Sequence, residues 1–342
     1  MRDFAGGLRL LIAKCIEWAT LIAQYMLAAG GSCIAACVPL IRHVAEGLDP
    51  NAGSLRYAVY ASYDRHSIVA DYVTAQIEAL SRIGYRIVVV LTSPYAREAQ
   101  TAKLVPYSWK IVHRRNLGHD FGAYKTGIQQ IDRLQEIESL ILMNDSCYGP
   151  LFDLARVERL AREDGADIWG ITDSWWKSYH LQSYYLRLGN RAINSQSFRR
   201  FWATLLPYQS RTLVVRLGEI RLTQYLVRDG LTTGVLCPYH AVAEKARELI
   251  LPRINGDDEA GLLPSEIQYL QWLAEQISKG TDLNPMHPFW DVLIVEFACP
   301  FIKRGLLRSN PAGVPGLVDW PSLLATYTGY NISLIDRHLK IG

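Results

Sequence analysis

The sequence predicts an open, mostly parallel, doubly wound α/β sheet flanked by helices, with a helical extension before it and a helical segment after it. Three observations carry this reading. Ile87-Val88-Val89-Val90-Leu91-Thr92 is an unbroken apolar run of the kind a strand buried on both faces needs. Around it stands a β-α-β spacing. Strand-forming Leu55–Tyr63 comes first, then Val69, Tyr72, Val73, Ile77 and Leu80 at helical spacing, closed by Gly84. The third observation is that apolar runs stop in acids: Ser139–Met143 runs into Asn144-Asp145-Ser146, and Asp167–Thr172 into Asp173. Parallel crossovers are right-handed, and ligands of such sheets bind at the carboxyl ends of the strands. The pattern implies a nucleotide-type ligand and leaves the chemistry open.

The elements follow in order. Trp18 to Ile41 is a stretch of 24 residues without a charge, long enough to span a bilayer core. Gln24 and Gly30-Gly31-Ser32 interrupt it, so two helices, about 6–28 and 32–46, are expected to pack on the body or lie in an interface. Asp49-Pro50-Asn51-Ala52-Gly53-Ser54 is a cluster of breakers that marks a boundary. The chain divides into an extension over 1–52, a domain over 53–240, and a C-terminal segment over 241–342. Trp109–His113 reads as a short strand, Tyr124–Gln135 as a helix.

Composition excludes several classes. With 342 residues, 49% hydrophobic and 20% charged, the chain is an ordinary packed globular protein without repeats or low-complexity tracts. A net charge of +3, with His113-Arg114-Arg115 as the nearest approach to a basic run, argues against nucleic acid. The six cysteines form no CxxC pair, which argues against zinc and disulfides and for a reduced, cytosol-facing chain. Nine Trp and nineteen Tyr suit sugar C–H faces and protein cores equally.

Four stretches bear on chemistry. Asn116-Leu117-Gly118-His119-Asp120-Phe121-Gly122-Ala123-Tyr124-Lys125 enters a helix. Gly118 and Gly122 let backbone approach a ligand, the helix N-terminus suits phosphate, and Lys125 adds a cation. The same residues equally fit a strand-to-helix turn capped by Asp120. Asn144-Asp145-Ser146 fits a carboxylate meeting a divalent cation on a diphosphate, or an Asx turn. Glu219 leads a helix ending at Gly230, as dipole-favoured decoration or as a base for an acceptor hydroxyl, with Asp173 its competitor. His287 sits in a turn between Pro285 and Pro288, as a structural residue or as a partner of metal or diphosphate.

Taken together these stretches resemble the rhamnan synthesis protein F family of bacterial polysaccharide glycosyltransferases, over roughly residues 55–312. The landmarks run in order: Tyr60-x-x-Tyr63-Asp64, Asn116 to Gly127, Asn144-Asp-Ser-x-x-Gly-Pro150, Gly170-x-Thr-Asp173, His180-Leu-Gln-Ser183, Phe201-Trp202, Glu219-x-x-Leu-Thr223, Asn284-Pro-x-His287, and Pro300-Phe-Ile-Lys303 through Asn310-Pro311. The resemblance implies a GT-A-like fold in which Asn144, Asp145 and Ser146 stand where an Asp-x-Asp metal motif would be. One carboxylate replaces two, so dependence on Mg²⁺ or Mn²⁺ stays open. It further implies Glu219 or Asp173 as base. Tyr63, Asp64, Asn116, Gly118, His119, Asp120, Gly122, Lys125, His287 and Lys303 fall on the donor side, and His180, Gln182 and Trp202 on the acceptor side. The implied reaction is an inverting transfer of rhamnose or a similar sugar from a nucleoside-diphosphate donor, dTDP-rhamnose-like, to a lipid-linked or oligosaccharide acceptor. A growing surface polysaccharide or O-antigen fits this, built at the inner face of the bacterial inner membrane by a peripheral or anchored cytoplasmic protein. The alternative is a non-catalytic, membrane-associated subunit of a polysaccharide assembly complex.

Overall fold

A computed structural model describes residues 14–16, 18–27, 30, 39–254 and 263–341. Its centre is the expected sheet. Strands β1 (Ile41–Glu46), β2 (Arg56–Ser62), β3 (Arg86–Leu91), β4 (Lys110–Arg114), β5 (Ser139–Asn144), β6 (Cys147–Tyr148), β7 (Ile168–Ser174), β8 (His180–Leu181), β9 (Tyr185–Gly189) and β10 (Thr233–Cys237) precede a last short strand, β11 (Ile302–Lys303). The sheet runs β1-β4-β3-β2-β5-β9-β7-β10, with β8 beside β7, while β11 pairs separately with β6. Strands β4, β3, β2 and β5 are mutually parallel, as are β7 and β10. Strand β9 lies antiparallel between β5 and β7, and β1 is antiparallel at the β4 edge.

Residues alternate between two cores. Ala58 and Tyr60 of β2 with Ile87 and Val89 of β3 face one; Tyr57, Val59, Val88 and Val90 face the other. Because both faces are buried, these strands are apolar between their ends, from Tyr57 to Ala61 and from Ile87 to Leu91. Helices α1 (Asp71–Arg82), α3 (Leu154–Asp164) and α6 (Tyr239–Ile254), with later helices through α11 (Ser333–Ile341), cover the first face. Helices α2 (His119–Ile128), α4 (Gln196–Thr204) and α5 (Arg221–Arg228) cover the second. α2 sits so close to the sheet that a Cβ on Gly127 would lie 2.3 Å from Val59 Cγ1.

Several expectations are corrected. Ile41–Glu46 is a strand, not the end of a helix, because its backbone completes the open edge of β4. Residues 14–16 and 18–27 are helical, and Leu21 packs on the second core; residues 32–38 of the second expected N-terminal helix lie outside the described residues. Among the described residues no helix is long and apolar enough to cross a membrane. The helix expected from Tyr124 to Gln135 starts five residues earlier, at His119, and ends at Ile128. The 241–342 segment contributes Val242, Leu273, Leu293, Leu306 and Ile335 to the same core as β2 and β3.

At the edge where β2 and β3 begin, buried Glu158 gathers three guanidinium groups: Arg187 at 3.1 Å, Arg162 at 3.0 Å and Arg56 at 3.4 Å, while Tyr85 donates to its other oxygen at 2.9 Å. Removing the carboxylate strands buried Arg187 without a counter-charge. Glu158→Ala is expected to cost about 3–5 kcal/mol of stability, read by urea denaturation; a loss below about 1 kcal/mol would show that water replaces the carboxylate.

Candidate functional site

The opposite, carboxyl edge of the sheet collects the predicted polar residues into two adjoining groups. The first forms where β2 and β5 end side by side, with Ala61 opposite Asn144. Asp145 follows β5 and reaches back to β2: its Oδ2 accepts from Ser62 Oγ at 2.8 Å and from the Tyr63 N–H at 3.0 Å. Its Oδ1 faces Arg304 Nη1 at 3.5 Å, and its backbone carbonyl accepts from Tyr72 Oη at 3.0 Å. Arg304 also donates to Tyr72 Oη, at 2.9 Å. Asn144 donates its amide to Asp120 Oδ2 at 2.9 Å, and its Oδ1 accepts from the Ser146 N–H at 3.0 Å. Burial, and then the charge of Asp145, raise the Asp120 carboxyl to about 6. Ser146 Oγ accepts from Lys303 Nζ at 3.1 Å. Asp64 accepts from the N–H groups of His66 and Ile68, forming the turn after β2. Beside it Ser62, Tyr95, Arg97, Gln100 and His113, among others, line a small hollow of about 10 Å³, room for a single water.

The second group surrounds Glu219. A π-helical stretch, Val214–Ile220, runs into α5, so Glu219 lies inside a continuous helical segment and not at a helix start. Such π turns re-aim one side chain and recur at functional sites. Gly218 allows it, packing flat on the Phe121 ring, where a Cβ would come within 2.9 Å. Glu219 Oε2 accepts from both the N–H (2.6 Å) and the hydroxyl of Ser183, and Oε1 lies 3.4 Å from His180 Nε2. His180 Nδ1 donates to the Ser178 carbonyl at 2.8 Å, leaving Nε2 for the carboxylate. Burial pushes Glu219 upward, but donors from His180 and Ser183 outweigh it and hold the acid below its ordinary range. Burial lowers His180, yet Glu219 wins and raises it. Asp173 accepts from the Tyr239 N–H at 2.6 Å at the start of α6, and burial raises its carboxyl.

Tyr124 joins the groups: its hydroxyl donates to the Ser183 carbonyl at 2.9 Å, and the charges of Asp120, Glu219 and Asp145 all reach it. His287 approaches from the C-terminal segment. Burial, then Lys303 and Arg211, lower its imidazole to about 4, and its Nδ1 is buried without a hydrogen-bond partner among the described residues. Gln182 accepts from Thr172 at 2.7 Å and donates to Asn284 at 3.3 Å.

Other candidates stand elsewhere. Trp202 stacks on Phe121 amid Phe198 and Phe201, and is core. Lys125 Nζ donates to the Leu205 carbonyl at 3.1 Å, away from the acids. His119 bonds the Gln209 carbonyl at 2.9 Å, and Asn116 is exposed. Gly122 is required by its own chain, since a Cβ would meet the Leu117 oxygen at 2.1 Å; Gly118, with φ 84°, packs on Pro207. Asp120 is not a cap: Gly118 precedes the helix and Asp120 turns to Asn144. Sequence reasoning missed Ser62, Tyr72, Tyr124, Ser183 and Arg304 as participants. Ser183, Tyr124 and Arg304 stood within or next to quoted motifs, whereas Tyr72 read as part of an apolar helix face.

The residues expected to hold a metal do not fit one. Asp145 Oδ2 has both lone pairs filled, Asn144 and Ser146 are bonded within the protein, and Arg304 and Lys303 bring positive charge to the turn. Among the described residues no group of three or more His, Cys, Asp or Glu is placed to hold an ion.

The fold and edge define an α/β protein with a polar site at the carboxyl end of its sheet. Residues 87–247 match the model of the rhamnan synthesis protein F family, so the resemblance carried by the motifs holds over that stretch. Virulence protein VirA of Vibrio anguillarum is 26% identical over 268 residues, covering 77% of this chain and 82% of VirA. Protein y4gN of Sinorhizobium fredii is 29% identical over 187 residues, covering 53% of this chain and 48% of y4gN. Among solved structures, S. aureus TarS 1–349 aligns with 84% of this chain and 92% of its own at a TM-score of 0.34 and 10% identity. The mannosyltransferase PcManGT from Pyrobaculum calidifontis, solved with GDP-Man and Mn²⁺, aligns with 90% and 94% at 0.32 and 12%.

The His180–Glu219 pair gives a pH signature. A raised histidine contributes stability in full below its unfolded value near 6.5 and loses it as pH rises through the folded value; a depressed carboxyl contributes above about 4.5 and loses it as pH falls. The pair therefore stabilises most between about 4.5 and 6.5. The stability gap between wild type and His180→Gln should narrow from about pH 6 to about pH 9; a gap independent of pH would mean His180 stays neutral.

Proposed function

We propose that this chain is a glycosyltransferase that moves a sugar from a nucleoside-diphosphate donor to a surface-polysaccharide glycan. The observation that carries this reading is the meeting of the Glu219 group and the Asp145–Lys303 group at one sheet edge, joined through Tyr124. The family match over residues 87–247 supports it. Lys303 faces the diphosphate. Glu219, kept ionised by Ser183 and His180, takes the proton of the acceptor hydroxyl. The acceptor oxygen then bonds the anomeric carbon as the bond to the departing diphosphate breaks. A single displacement inverts that carbon. Rhamnose, or a similar deoxysugar, is the donor sugar the family's description suggests, and the inner face of the bacterial inner membrane is the place where such a polymer is built. Asp173, whose carboxylate accepts from the Tyr239 N–H at the start of α6, is assigned to supporting that helix, with Glu219 as the base.

The test is release of nucleoside diphosphate from a panel of nucleotide sugars, with and without oligosaccharide acceptors. Glu219→Gln should lower acceptor-dependent release by about 10²–10⁴-fold and leave donor binding intact. Unchanged turnover in that variant, or acceptor-independent phosphate release in the wild type, would remove the transferase reading.

The acceptor face has a feature of its own. Trp175 and Trp176, immediately beyond β7, are 41% and 38% exposed, and Trp175 lies 5.0 Å from the Tyr179 ring and 5.3 Å from His240. Aromatic faces pack on sugar C–H surfaces. Trp175→Ala is expected to raise the acceptor KM about 5- to 10-fold with the donor KM unchanged. A donor-side effect would move these rings to the other half of the site.

A further inference from the structure

We propose that Lys303, fixed on the β6–β11 pair, neutralises the donor's diphosphate in place of a divalent cation. This deepens the nucleotide-sugar reading above and rests on it.

The oxygens a metal would need are already spent. Asp145 Oδ2 is filled by Ser62 and Tyr63, Oδ1 faces Arg304, Asn144 bonds Asp120 and the Ser146 N–H, and Ser146 Oγ takes a proton donor from Lys303. Mg²⁺ and Mn²⁺ require oxygen ligands, and here two cationic side chains stand at the same turn. They are not equivalent. Arg304 is held by Asp145 and Tyr72. Lys303 has no carboxylate within salt-bridge distance among the described residues; its contacts are Ser146 Oγ and the face of Tyr184, 5.1 Å from the ring centre. An ammonium carries three donors, so with one on Ser146 two remain for phosphate oxygens.

Its position is fixed by backbone. Ile302 pairs with Tyr148 and Lys303 with Cys147, and the Arg304 N–H donates to the Ser146 carbonyl at 3.0 Å. The C-terminal segment thereby lays a cation directly across the turn after β5, where the resemblance leads one to expect a metal. His287, lowered to about 4, is neutral beside it, so Lys303 supplies the charge. Arg304 and Asp145 are positioning residues that lock the strand to the turn.

The experiment is calorimetric titration of the full chain with UDP, GDP and dTDP, in EDTA and again with MnCl₂ or MgCl₂, for wild type, Lys303→Met and Lys303→Arg. At least one diphosphate should bind in EDTA, with metal changing its affinity by less than about threefold. Lys303→Met should weaken that diphosphate about 10- to 100-fold, as expected for a lost charge-assisted bond, and leave the free nucleoside unaffected. Lys303→Arg should restore most of the loss. Circular dichroism checks each fold, and should Lys303→Met fail to fold, the EDTA arm on wild type decides alone. Binding that appears only with metal, or wild-type affinity in a folded Lys303→Met, overturns the proposal and leaves the nucleotide-sugar reading standing. Binding of no diphosphate under either condition overturns both.

Discussion

The Asp145 carboxylate ties together three parts of the chain that are far apart in sequence. It accepts from Ser62 and Tyr63 at the end of β2, faces Arg304 after β11, and sits on a backbone whose carbonyl receives Tyr72 from α1. A carboxylate at 7% exposure needs such partners, because desolvating it uncompensated costs several kcal/mol. The consequence is architectural. With β2, α1 and the C-terminal segment all bound to one side chain, the turn after β5 cannot shift without disturbing each of them. The cation on β11 inherits that rigidity. A preorganised charge is worth more than a mobile one, since no reorganisation is needed as the leaving group develops negative charge.

Glu219 is organised by a different means. Its acid is held by short bonds from one serine and by a histidine whose other nitrogen is pinned to a carbonyl. Two opposing effects act on it. Burial favours the neutral acid, whereas three donors favour the anion, and the donors prevail. An ionised acid inside a protein is a ready proton acceptor only if its partners can adjust, and Ser183 is well placed for that. It sits in the segment between β8 and β9, and its carbonyl is fixed by Tyr124, so the hydroxyl can rotate while the backbone stays.

The parallel half of the fold was legible in the sequence because strands buried on both faces need an unbroken apolar run, and β3 has one from Ile87 to Leu91 and β5 from Leu140 to Met143. The acids at the ends of β5 and β7 were legible for the same reason: they interrupt that run. The antiparallel strand β9 was not. Tyr185-Leu186-Arg187-Leu188-Gly189 carries an arginine whose charge reads as surface, and only the structure shows it paired with buried Glu158. Strand β1 was missed because its pattern is that of a half-exposed edge. At the site, polar residues in short motifs were found, but their directions were not. Lys125 and Trp202 lie on the right helices and point to Leu205 and the aromatic core. Helix phase decides this, and the expected start of α2 was five residues late.

Strand β9 also fixes the separation of the two groups. It is hydrogen-bonded to β5 on one side and β7 on the other, and the residues just before it, Gln182 to Tyr184, pass between the ends of both. The Tyr184 carbonyl receives the Asn144 N–H, and the Gln182 N–H donates to the Thr172 carbonyl. Ser183, which binds Glu219, is therefore locked between a residue bonded to the Asp145 turn and one bonded to β7. A displacement needs its base and its leaving-group cation on opposite sides of the reacting carbon, at a distance that does not drift. In the proposed reaction, an antiparallel strand between two parallel ones would turn the sheet's own spacing into that distance, with the backbone bonds that close the core also holding the Glu219 and Asp145 groups apart.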